Sequence, residues 1–123
     1  MAKIQKKSLN APDETTDLAN SKLEMAKLEG ISFARTTFKP GWRWSTHVKP
    51  VAKTESCQVT HMFYQVSGIT HVRMNDGTEM EFGPGDVGLI PPGHDGWVVG
   101  DKPSVAINVM GMAASAKPKT GKK

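Results

Sequence analysis

A chain of 123 residues has room for one domain, and its 37% apolar and 23% charged content suits a globular fold with a modest core. No run of about 18 apolar residues is present to span a membrane, the segment MAKIQKKSLNAPDE lacks the apolar stretch of a secretory signal, and a single cysteine cannot form an internal disulfide, so a cytoplasmic location is expected. The net charge of +4 belongs to the ends: without Lys3, Lys6, Lys7, Lys117, Lys119, Lys122 and Lys123 the remainder carries −3, and no basic face suited to nucleic acid remains.

Residues 1–20 are polar and read as an extended arm with room for one short strand. A barrel domain is expected over 21–112, and a disordered basic tail over 113–123 (AASAKPKTGKK). The segment Ser21–Glu29 contains good helix formers. Yet Leu23 and Met25 alternate with charged residues, and only nine positions precede Gly30, so a strand is predicted. Ile31–Phe38 alternates and is broken at Pro40-Gly41. Val59–Val66 is rich in β-formers and stops at Ser67-Gly68. Thr70–Met74 and Thr78–Phe82 flank Asn75-Asp76-Gly77, a tight hairpin signal. Val87–Ile90 ends at Pro91-Pro92-Gly93, Trp97–Val99 at Gly100-Asp101-Lys102-Pro103, and Val105–Met110 closes the series. About eight strands at intervals of 8–12 residues, with no long helix, predict an antiparallel sandwich or barrel.

Several of these segments also carry a motif. GPGDVGLIPPGHDGW resembles the second sequence motif of the cupins, G-x5-P-x-G-x2-H, through Gly85, Pro91 and Gly93, with His94 two residues ahead of the motif histidine position, which is Gly96. PGWRWSTH resembles the opening of the first motif through Gly41 and His47. His61 with Gly68 matches its closing E-x6-G, with His in place of Glu. The resemblance spans roughly residues 31–111. It implies an all-β double-stranded β-helix, a jelly-roll cupin barrel, working as a homodimer with a small-molecule ligand inside the barrel.

The candidate metal ligands are His47, His61 and His94, with Cys57 as a possible thiolate. An imidazole-rich set suits Fe, Zn, Ni or Cu, and Mn less well. Read as extended, Arg43, Ser45 and His47 share one face opposite Trp42 and Trp44, while His61, Phe63 and Gln65 share the inward face of another strand. Met62 and Tyr64 then point outward to a packing or subunit surface. Arg43 and Gln65 are candidates to orient a ligand; Asp95 is placed to fix the His94 tautomer, and Trp97 to wall the pocket. Each has a plain alternative: a core histidine, a small buried cysteine, a surface arginine, a turn aspartate, a core tryptophan. His71 and Arg73 are assigned to the outer face. Cys57 and His61, four residues apart, would lie about 13 Å apart along a straight strand, so their use as a nucleophile pair needs a bend. A metal-dependent dioxygenase or isomerase acting on a small polar or carboxylate metabolite is one reading that the resemblance allows. A non-catalytic ligand-binding or sensing module is the second, and a metal-free lyase or epimerase with His61 as base is the third.

Overall fold

The computed structural model describes residues 3–110, so the predicted tail at 113–123 lies outside the described residues. Strands β1 (Glu14–Leu18), β2 (Ser21–Leu28) and β3 (Ile31–Phe38) run antiparallel from the N-terminal side. Two single-turn helices follow, α1 (Trp44–His47) and α2 (Lys49–Ala52). The remaining strands are β4 (His61–Ser67), β5 (Ile69–Met74), β6 (Glu79–Phe82), β7 (Val87–Ile90), β8 (His94–Val99) and β9 (Ser104–Met110). They form a six-stranded sheet, ordered β1-β2-β3-β9-β4-β7, facing a three-stranded sheet, ordered β6-β5-β8. This is a jelly roll, as the strand spacing predicts.

The strand reading of Ser21–Leu28 holds: its full register with β3, from Ser21 opposite Phe38 to Leu28 opposite Ile31, leaves no helix. Asn75-Asp76-Gly77 makes the predicted turn, closed by Gly77 N donating to the Met74 carbonyl at 2.9 Å and Thr78 N donating to Asp76 Oδ1 at 2.9 Å. Two glycines are fixed by close approach. A Cβ at Gly68, where φ is +72°, would stand 2.1 Å from the Pro103 carbonyl oxygen, and a Cβ at Gly88 would meet the rings of Phe63 and Phe82 at 2.7 Å.

The extended reading of 42–47 is corrected. Only Arg43 pairs as in a sheet, bridging Trp97; from Trp44 the chain turns, with His47 N donating to the Arg43 carbonyl at 2.9 Å and Val48 N to that of Trp44 at 2.9 Å. Burial of both tryptophans drives this, since the helical turn lets Trp42 and Trp44 fill the gap between β8 and β3. They pack with Cys57, Val98, Phe38 and Val48, and Phe38 stacks on Trp42 at 3.9 Å between ring centroids. A second cluster, Phe63, Val72, Phe82, Ile90 and Ala106, fills the other side of the barrel. Among the described residues no helix is long and apolar enough to cross a membrane.

Candidate metal centre

The site lies where polar side chains interrupt the inward pattern of three segments. In β4 the inward positions are His61, Phe63 and Gln65, and in β8 they are His94, Gly96 and Val98. Strand β8 begins at His94, three residues before the predicted start, and pairs it with Met74 of β5. That early start turns His94 inward. The third segment follows α2, which ends at Lys53 in a left-handed conformation (φ 60°). The chain then runs beside β8: Cys57 N donates to the His94 carbonyl at 2.7 Å and Gly93 N to the Cys57 carbonyl at 2.7 Å. Ser56 Oγ accepts from Asn75 Nδ2 at 3.1 Å and from Gln58 Nε2 at 3.0 Å, which ties the segment to the β5–β6 turn.

These contacts bring together one potential ligand atom from each of Cys57, His61 and His94, all within 4.8 Å of one another. Cys57 Sγ stands 3.7 Å from His61 Nε2, and the rings of His61 and His94 meet edge to face at 5.2 Å. Cys57 and His94 are buried, and His61 is half-buried at the rim. His94 Nδ1 donates to the Pro91 carbonyl at 2.8 Å, so its hydrogen sits on Nδ1 and the Nε2 lone pair is left available. His61 hydrogen bonds to Asn108, whose amide nitrogen donates to Thr36 Oγ1 at 3.3 Å. The His94 ring is thus oriented from behind by a main-chain group, as metal-bound histidines are.

The electrostatics keep all three groups uncharged at neutral pH. Burial lowers the His61 pKa to about 4; the neighbouring His94 lowers it further, and the Asn108 hydrogen bond opposes. Burial likewise lowers His94, against its bond to Pro91. Burial raises the Cys57 thiol above its ordinary value, partly offset by the Val59 amide. A thiolate–imidazolium nucleophile is therefore not favoured, although the chain does bend enough to bring Cys57 and His61 together. Two neutral imidazoles and a thiol that a cation would deprotonate do fit a divalent transition metal, with one coordination position left open.

No known sequence family and no curated protein matches the sequence. Solved structures do. An oxalate decarboxylase from Lactobacillus farciminis, in complex with formate, superposes with a TM-score of 0.57 at 22% identity, over 78% of this chain and 30% of that one. The chain therefore spans under a third of that enzyme. A cupin-like protein from Thermotoga maritima matches with a TM-score of 0.51 at 17% identity, over 72% of this chain and 66% of that one. The chain has the cupin fold. Ectoine synthase from P. lautus shares it, with a TM-score of 0.64 at 14% identity, over 86% of this chain and 76% of that one.

The other candidate site residues stand outside the cluster. His47 lies on α1, outside the cluster, and its Nδ1 accepts from the Arg43 amide at 3.1 Å. Arg43, Asp95 and Trp97, expected at the pocket, face outward. Because His94 points in, its neighbours in alternation point out. Trp97 stacks on His71 at 4.7 Å, and the Arg43 guanidinium lies 4.1 Å above the other part of this stack, over the Trp97 ring. Asp95 Oδ1 accepts from Ser45 N at 3.0 Å and Gly96 N at 2.8 Å, so it secures the start of α1, while Pro91 takes the tautomer-fixing role. Gln65 is fully buried and spends its amide on Ser104 Oγ (2.7 Å) and the carbonyls of Ser67 and Gly68. Sequence reasoning missed Asn108 and Thr36. The available signal was an asparagine at an inward position of the alternating strand SVAINVM.

Proposed function

We propose that Cys57, His61 and His94 hold a divalent transition metal at the rim of the barrel, and that the protein engages a small polar or carboxylate-bearing metabolite there. The observation that carries this is the convergence of three donor atoms within 4.8 Å, with the His94 imidazole oriented by a hydrogen bond on its far side. Zn, Fe and Ni suit the set. One thiolate and the absence of a carboxylate in the cluster disfavour Mn. Such an ion supplies Lewis-acid polarisation of a ligand oxygen. Among the described residues the buried polar and charged ones are Ser56, Gln65, His94, Ser104 and Asn108, none of them cationic at neutral pH. A carboxylate ligand would thus find its countercharge in the metal rather than in an arginine. A ligating thiol must stay reduced, which suits the cytoplasm.

Dioxygenation or isomerisation is the catalytic form of this reading. The second reading, a non-catalytic sensing or binding module, is favoured by one feature: among the described residues no buried carboxylate or lysine stands beside the cluster to move protons. Elemental analysis of the purified chain tests the metal. About one equivalent of Zn, Fe or Ni, lost in His94→Ala, supports the assignment; retention in Cys57→Ala, His61→Ala and His94→Ala alike removes it. Oxygen uptake with a panel of small carboxylates and thiols then separates catalysis from binding.

A further inference from the structure

The outward face of the three-stranded sheet carries a stack of charged and aromatic side chains that the candidate metal centre does not use. Register sets them in two rows: Glu81 of β6, His71 of β5 and Trp97 of β8 in one, Glu79, Arg73 and Asp95 in the other. The His71 ring lies between two carboxylates, with Nε2 2.6 Å from Glu79 Oε1 and Nδ1 3.1 Å from Glu81 Oε2. An ionised carboxylate only accepts, and a neutral imidazole has one N–H to give, so the imidazolium alone makes both bonds. Trp97 stacks on this ring at 4.7 Å between centroids, and the Arg43 guanidinium lies 4.1 Å from the indole. β5 and Arg43 pair with β8 from its two opposite edges, so the two cations flank the indole.

Arg43 opens the segment that holds α1, α2 and, at its far end, Cys57. Its Nε donates to Ser45 Oγ at 3.2 Å and stands 3.5 Å from Asp95 Oδ2, while Asp95 Oδ1 accepts from Ser45 N at 3.0 Å. We propose that the stack is a proton-operated clasp, in which the His71 imidazolium, pinned by Glu79 and Glu81, fixes Trp97 as the plate on which Arg43 lies and so holds the start of this segment against β8. Loss of the His71 proton leaves a ring lone pair facing a carboxylate. The ring then swings away, Trp97 loses its backing, and Arg43 is released. Burial pushes the His71 pKa down, but the bonds to Glu81 and Glu79 outweigh it and hold the value above the ordinary one. The clasp is therefore closed below that raised pKa and opens as pH climbs through it. The other charged groups on this face are Arg73, Asp95 and Arg43, and His47 Nδ1 accepts from the Arg43 amide at 3.1 Å on the α1 side. The clasp needs no bound metal, so it stands or falls apart from the reading of Cys57, His61 and His94.

Limited trypsin digestion of the full chain tests this, because Arg43 must leave Trp97 to enter the protease. Cleavage at Arg43–Trp44 is scored against cleavage at Lys53–Thr54, an exposed bond in the same segment that cancels the protease's own pH dependence. Between about pH 6.5 and about pH 8.5 the ratio should rise at least ~fivefold in the wild type, and in His71→Gln it should be high and flat. A wild-type ratio indifferent to pH overturns the proposal. So does an equal rise in His71→Gln, which would pass the titration to His47. If burial of Trp44 keeps the Arg43 bond uncut in every sample, exchange of the Ser45 amide at a single pH near ~6.5 decides. Faster exchange in His71→Gln than in the wild type supports the clasp, and equal exchange overturns it. If His71→Gln loses the circular dichroism spectrum of the barrel, Glu79→Gln replaces it. Its ratio should rise at a lower pH than in the wild type, and an unmoved profile counts against the clasp.

Discussion

His94 is positioned by the Pro91 carbonyl from behind and by Cys57 main-chain contacts alongside, so its Nε2 is aimed before any ligand arrives. His61 depends instead on Asn108, itself held by Thr36. Asn108→Ala should therefore lower metal affinity by about 10–100-fold while leaving the ligand set intact; titration with a competing chelator reads this, and unchanged affinity would show that Asn108 does not hold the ring. The same burial has a consequence for acid stability of the metal-free protein. His61 binds its proton with a pKa of about 4 when folded and near 6.5 when unfolded. Between those values the unfolded chain holds more protons, so stability is complete above pH 6.5 and falls as pH drops toward 4, by up to roughly 3 kcal/mol. Urea midpoints across that range check the slope, which His61→Gln should flatten. His71 works in the other direction. Burial lowers its pKa, but hydrogen bonds to Glu81 and Glu79 outweigh it and raise the value, so its contribution is present below pH 6.5 and fades as pH rises through the raised pKa. At this scale the inward direction of His61 and His94 was legible: His61 stands at a motif position, and His94, two residues ahead of its own, keeps the same face by the period of two. The outward turn of Asp95 and Trp97 followed from the same period once β8 is seen to start at His94. The carbonyl behind His94 was not legible, since main-chain partners leave no trace in residue identity.

The elements carry their own constraints. Gly68 ends β4 against Pro103, and a methyl group there meets backbone at 2.1 Å in a left-handed conformation. Gly68→Ala should cost at least about 2–3 kcal/mol, measured as a lower urea midpoint; a loss under about 1 kcal/mol would mean that the β4–β5 turn can shift. The motif glycine at this position thus has a packing reason. Hairpins and turns were readable because Gly, Pro, Asn and Asp mark them locally. The helical turns over 44–52 were not, because alternating Trp42, Arg43, Trp44 and Ser45 satisfies a strand pattern, and only the space between the sheets makes burial by a helical turn the better solution. The approach of Cys57 to His61 was hidden for the same reason: a straight strand keeps them apart, and the bend is imposed by pairing of Cys57 with β8.

On the scale of the molecule, the candidate centre joins the two sheets, which also meet through apolar packing and a Thr70–Ser104 hydroxyl contact, to the segment that pairs with β8. His61 stands on the six-stranded sheet, His94 on the three-stranded sheet, and Cys57 on the segment after α2 that closes the gap between them. An ion bound to all three would cross-link the two layers in the folded state and find no such arrangement in the unfolded chain. At a free metal concentration a hundredfold above Kd, the gain is about 2.7 kcal/mol, which for a domain of this size moves the melting midpoint by roughly 10 °C. Chelation should reverse that gain, and the metal-free protein should still show the far-ultraviolet spectrum of the barrel, since the clusters around Phe63 and around Trp42 do not depend on the ion. His94→Ala and Cys57→Ala should melt at one temperature with or without added Zn. A wild-type midpoint indifferent to both metal and chelator would separate the fold from the proposed chemistry, because three donors this close, on two sheets and the segment beside them, cannot bind an ion without adding its binding energy to folding.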